Sequence, residues 1–153
     1  VGGGLPLPPD CGLRREGSGE DGPPALRFAG YAAIFDRADR GGDVVRRGAF
    51  AGAGRVPLLW QHGGAPVGAI ERVAEDARGL NVIGRIERAG LAAMVASGAL
   101  TGLSFGYRAR VVTHGTYREL IRLDLHEVSL VAQPMQPLAR VTAFEWVKED
   151  ETA

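Results

Sequence analysis

A mainly β, α+β chain, built as a small β-barrel decorated by one or two helices, is expected from three features of this sequence. Short apolar runs alternate with Gly- and Asp-rich turns. One Ala-rich stretch alone has helical character. Pro134 and Pro137 then punctuate the last connection, which favours short strands over a long helix there. At 153 residues and 45% apolar, the chain has about one domain's length and enough apolar surface for a core.

Each element has a local reason. Leu26–Phe35 is apolar and aromatic, and the polar loop Asp36–Asp43 with Gly41-Gly42 closes it. Gly48-Ala49-Phe50 starts a turn or short helix. Val56–Gln61 reads as a strand ending on His62, with Gly63-Gly64 as the break. Val67–Val73 and Leu80–Ile86 flank Glu75-Asp76-Ala77-Arg78-Gly79, a hairpin turn that expects Gly79 at positive φ. Residues 87–97, with Leu91, Met94 and Val95 among alanines, form the helix that Gly98 stops. Leu103–Thr113, Tyr117–Asp124, Glu127–Ala132 and Val141–Phe144 complete seven or eight strands.

Residues 1–24 are rich in Gly and Pro and poor in large apolar side chains, so a disordered leader is expected there. The folded domain is expected over 25–146, with a charged tail over 147–153. An opening Val in place of Met is what a trimmed start would leave. The first residues lack the basic-then-apolar pattern of a secretory signal, and no run approaches the roughly 20 apolar residues of a membrane span. Cys11 is the single cysteine, so no intrachain disulfide forms, which fits a reducing compartment. Eighteen basic residues balance eighteen acidic ones, leaving no net field to hold nucleic acid, and Arg108/Arg110 reads as a solvated strand face.

Three polar side chains stand out against apolar strands: Ser104, His62 and Glu127. Strand alternation sets Leu103, Phe105, Tyr107, Ala109 and Val111 on one face, and Ser104 with Gly106, Arg108 and Arg110 on the wetter one. Gly106 would leave open space beside a nucleophile there. Apolar residues on both sides of Glu127 leave its face undecided. A serine hydroxyl becomes a nucleophile when a neutral imidazole takes its proton and a third acceptor fixes the ring's tautomer. His62, at the end of an apolar strand, suits the base better than His114 in a polar loop or His126 beside Glu127. Taken singly, each residue has a plainer reading: a packed core serine, a surface histidine, or a glutamate paired with Arg122 or Arg140. His62, His114, His126 and Glu127 have no regular metal-ligand spacing, and Asp36, Asp39 and Asp43 fit a solvated turn rather than a calcium loop, so no metal or cofactor is expected.

Six segments add a second line of reasoning. They are Gly30-Tyr31-Ala32-Ala33-Ile34-Phe35-Asp36, Gly42-Asp43-Val44-Val45, Gly48-Ala49-Phe50, Leu58-Leu59-Trp60-Gln61-His62, Gly98-Ala99-Leu100-Thr101-Gly102-Leu103-Ser104-Phe105-Gly106-Tyr107 and Glu127-Val128-Ser129-Leu130-Val131. In this wording and order, from about Phe28 to Val141, the chain resembles the prohead (procapsid maturation) protease family of tailed bacteriophages and related gene-transfer particles. The Gly/Pro-rich leader lies outside the matching segments. The resemblance implies a herpesvirus-assemblin-like fold and a serine endopeptidase with Ser104 as nucleophile, His62 as general base and Glu127 as third member. It further implies removal of the scaffolding segment from the major capsid protein precursor, with self-cleavage, inside the immature capsid in the host-cell cytoplasm. It permits a homodimer; from charge balance and the lack of a long apolar run, no membrane or direct nucleic-acid partner is expected. The alternative from another class is a non-catalytic β-barrel that scaffolds or binds the capsid, which needs the same core but not the three polar groups.

Overall fold

The computed structural model describes residues 24–148. They form β1 (Ala25–Ile34), β2 (Asp43–Val45), β3 (Val56–Trp60), β4 (Gly63–Glu75), β5 (Gly79–Ile86), α1 (Ala89–Ala96), β6 (Gly102–His114), β7 (Arg118–Val131) and β8 (Val141–Val147). The chain is thus mainly β with one helix among the described residues. No helix there is long and apolar enough to cross a membrane. All of the expected leader except Pro24, and residues 149–153 of the expected tail, lie outside the described residues.

The eight strands make one sheet in the order β2-β7-β3-β4-β5-β1-β8, with β6 paired to β7. Leu26, Phe28, Leu58, Ile70, Leu80, Ile86, Leu103, Leu120 and Leu130 are fully buried on its inner side. Each such side chain contributes about 1.5–3 kcal/mol of burial. Leu91, Ala92 and Val95 of α1 pack on β1 and β5, and Gly98 stops the helix at φ 82°.

The expected barrel is not closed by strand pairing. Between β6 and the approach to β8 there is only the isolated bridge Gly102–Arg140, flanked by Leu103 N–H to Ala139 O (3.0 Å) and Val141 N–H to Thr101 O (2.8 Å). Pro134 and Pro137 in that approach lack the N–H groups that a ladder needs.

Three other expectations change. Gly79 is not at positive φ; it is required because a Cβ there would run into the carbonyl of Ala33 on the adjacent strand. The turn itself is built by Asp76 Oδ1, which accepts the N–H groups of Arg78 (2.8 Å) and Gly79 (3.1 Å). β3 ends at Trp60 and β4 begins at Gly63, so Gln61-His62 is the turn and the two glycines belong to a strand. The expected strands Tyr117–Asp124 and Glu127–Ala132 are one strand, β7. Gly106 pairs with Glu127 and Tyr107 with Leu125, so His126 is the extra residue of a β-bulge rather than a break.

Candidate functional site

The bulge at His126 decides where Glu127 points. Leu125 pairs with Tyr107 and Val128 with Phe105, which puts both apolar side chains on the core face. Glu127 pairs with Gly106, and Ser129 with Ser104, which puts these four on the opposite face. Were His126 an ordinary paired residue of a regular strand, Glu127 would share a face with Leu125. Gly106 then serves a purpose other than the expected one. A Cβ at this position would collide with Glu127 Oε2, so the missing side chain makes room for the carboxylate. On the core face Phe105 stacks edge-on against Phe50 (5.2 Å) and lies 5.1 Å from the Tyr107 ring, which holds the strand under Ser104.

β6 departs from simple alternation. Ser104 lies on the floor of a cleft at 8% exposure rather than on a wet face, whereas Arg108 to Val111 are all exposed. Shifts of register at Gly106/Tyr107 and Ala109/Val111 interrupt the two-residue period.

His62 reaches the same cleft from the β3–β4 hairpin. Gln61 (φ 53°) and His62 (φ 61°) both occupy the left-handed region, as a two-residue hairpin loop with the favoured twist demands. For residues other than glycine this costs about 1–3 kcal/mol each, and the neighbouring strand must hold the turn in place. Gln61 N–H donates to Leu130 O (3.0 Å), Gln61 Oε1 accepts from Ala132 N–H (2.8 Å), and His62 N–H donates to Ser129 Oγ (3.0 Å). All three acceptors and donors belong to the end of β7 or to the residue just after it.

The His62 ring is 41% exposed, and its Nδ1 lies 2.6 Å from Glu127 Oε2. Glu127 is only 14% exposed, so its carboxylate needs partners, and its other oxygen accepts from the Ser129 hydroxyl at 2.7 Å. An ionised carboxylate only accepts, so Nδ1 carries a proton, and in the neutral ring that leaves the lone pair on Nε2. A neutral imidazole needs that tautomer to act as a base. Ser104 and His62 both line a cleft of about 400 Å³ with Gln61, Val131, Ala132, Gln133 and Met135. Among the described residues neither Nε2 nor the Ser104 hydroxyl has a hydrogen-bond partner, so ring and hydroxyl share the cleft without a direct bond. Catalytic contacts are often this loose before substrate binds.

A narrower recess adjoins this cleft at Ser104 and Met135 and includes Arg37, Asp39 and Asp43. Its carboxylates are engaged. Asp39 Oδ1 accepts from the N–H groups of Gly41 and Asp43, and Arg118 grips Asp43 at 2.7 and 2.9 Å. That guanidinium holds the Asp43 carboxyl below the usual range, while burial pushes the adjoining Tyr107 hydroxyl up. Asp36 pairs with Arg46 at 2.7 Å, so the acidic loop is tied by arginines and by its own backbone. No group of three or more His, Cys, Asp or Glu side chains among the described residues is arranged to hold a metal ion.

Of the three residues singled out from the sequence, His62 and Glu127 are in direct contact and Ser104 shares a cleft with His62. His114 and His126 make no part of it. Glu127 has neither Arg122 nor Arg140 as partner; Arg140 instead binds Pro137 O and Thr101 Oγ1. The residue that sequence reasoning passed over is Ser129. Its signal was an acid and a hydroxyl two apart on one apolar strand.

Residues 15–151 match the family model described as caudovirus prohead serine protease. The prohead protease of Enterobacteria phage HK97 is 30% identical over an alignment of 142 residues, and the match covers 82% of this chain. The chain spans 63% of that protein's length. Among solved structures, KSHV protease in complex with a hexapeptide phosphonate inhibitor is similar at TM-score 0.47 and 12% identity, over 84% of this chain and 67% of that one. Varicella-zoster virus protease is similar at TM-score 0.40 and 16% identity, over 66% of this chain and 57% of that one. With a family match running through all of the described strands, the chain belongs to the caudovirus prohead serine proteases.

Proposed function

We propose that this chain is a serine endopeptidase of capsid maturation, with Ser104 as nucleophile, His62 as general base and Glu127 as the residue that orients the ring. The observation that carries the reading is the 2.6 Å contact between His62 Nδ1 and Glu127 Oε2 at the edge of the cleft that Ser104 lines. In the reaction, Ser104 Oγ attacks the carbonyl carbon of the peptide while its proton passes to His62 Nε2. Glu127 pairs with the imidazolium that results. The C–N bond then breaks, the leaving amine takes the proton from His62, and an ester remains on Ser104. Water attacks that ester, gives a proton to His62, and the hydroxyl is restored.

Family membership supports a capsid protein as substrate, and we infer that the cut removes the scaffolding segment of the major capsid protein precursor inside the immature capsid, with self-cleavage as a second outcome. The catalytic unit is the domain over 25–146. We read its sheet as a barrel left open at one seam, a reading supported by the bridge Gly102–Arg140 across that seam.

Ser104→Ala is expected to fold and to abolish processing of the capsid precursor, and normal processing by that variant would defeat the assignment. Glu127→Gln should slow processing by a smaller factor, since the orienting member is the least costly of such a set to lose. The rival, a non-catalytic scaffold, draws on the absence of a direct bond between His62 and Ser104. A fluorophosphonate probe separates the two: an activated Ser104 labels, and stops labelling when His62 is replaced by Ala.

A further inference from the structure

Ser129 is fully buried on β7, at 0% exposure, and its single hydroxyl is used twice. The O–H donates to Glu127 Oε1 at 2.7 Å, and the oxygen accepts the backbone N–H of His62 at 3.0 Å. Glu127 Oε2 in turn meets Nδ1 of the same histidine at 2.6 Å. These contacts close a ring that runs from the His62 backbone through Ser129 and Glu127 to the His62 imidazole. Two further bonds pin the Gln61-His62 turn to the end of β7, but only the bond to Ser129 also reaches the carboxylate. A carboxylate held at one oxygen can still swing about its Cγ–Cδ bond. Held at both, it presents Oε2 to Nδ1 in one orientation.

We propose that Ser129 is a positioning residue for peptide hydrolysis. It locks the Glu127 carboxylate to the left-handed turn that carries His62, so that acid and ring move as one unit. This rests on reading Ser104, His62 and Glu127 as the catalytic set. A merely structural serine would fill its space and satisfy one neighbour, and its loss would lower stability without acting through Glu127.

The test measures the rate at which a fluorophosphonate labels Ser104 in the full chain, with melting temperature recorded for every variant. Ser129→Ala is expected to slow labelling by about 10- to 100-fold, the loss of one hydrogen bond to a charged group. Ser129→Thr, which keeps the hydroxyl, should stay within about 3-fold of wild type, well under the cost of that bond. Should Ser129→Ala not fold, Ser129→Cys replaces it in the comparison, being close in size but a weak donor. The double variant Ser129→Ala/Glu127→Gln should label no more slowly than Glu127→Gln alone, because both remove the same link. Wild-type labelling by Ser129→Ala, or costs that multiply in the double variant, would overturn the inference while leaving the catalytic reading in place. Undiminished labelling of Ser104→Ala would instead remove that reading, and the role of Ser129 with it.

Discussion

Gly106 is an exacting position beside Glu127, because the space a side chain would take is already filled by Glu127 Oε2. Gly106→Ala is expected to cost about 1–3 kcal/mol of stability, as overpacking does. It should also reduce kcat/KM by about 10²-fold or more, since the displaced carboxylate no longer holds the imidazole in its basic tautomer. Thermal melts together with peptide turnover check both parts, and a variant as active as wild type would show that the carboxylate position is unimportant. Ser104, His62 and Glu127 were legible in the sequence as candidates because each is a chemistry-bearing residue in an apolar strand or at its end, in the wording of a known family. Ser129 was not, because a serine among Val and Leu reads as core until the phase of its strand is known. One inserted residue, His126, hid that phase.

Among the strands, β6 and β7 form a long antiparallel pair whose two ends differ. Near Ser104 the pair is buried against the core, whereas the β6 side chains from Arg108 to Val111, with Thr113 and His114, are exposed and the register slips between Ala109 and Val112. Amides of Val112 to His114 are therefore expected to exchange hydrogen faster than those of Leu103 to Phe105, which mass spectrometry of exchanged peptides would measure. At the other side of β7, Leu58 is fully buried and pairs with Val128, one residue from Glu127. Leu58→Ala should cost about 2–5 kcal/mol, read from urea midpoints. The runs of β1, β5 and α1 were legible to within one or two residues, because apolar content and flanking Gly or Asp mark them. The start of β4 was misread because Gly63-Gly64 looks like a break, whereas the twist of the hairpin places the turn on Gln61-His62. The opening between β6 and β8 was equally hidden, since only three-dimensional placement shows that the proline-bearing approach passes the free edge of β6.

The molecule's response to acid follows from carboxylates that the fold keeps ionised. Asp43 is held low by the hydrogen-bonded Arg118, and Asp76 by the Tyr31 hydroxyl (2.6 Å) and by backbone N–H groups. Both bind their proton less readily folded than unfolded, so the stability they give is fully present above the ordinary carboxylate range, about pH 4, and is lost as pH falls through their lowered values. Asp43→Asn is expected to lower the melting temperature at pH 7 and to converge with wild type in strong acid, as melts across pH would record. A gap that stays constant with pH would show that Arg118 does not act through the charge. β7 also ties the whole together, since β2, β3 and β6 all pair with it, and among the described strands only β8 follows it in the chain. A nascent chain that has reached Tyr117 already owns the alcohol and the ring, yet it has neither the acid nor the rail on which they line up. Synthesis order thus works as a delay: the proposed nucleophile and base are made before the acid and the strand that would align them.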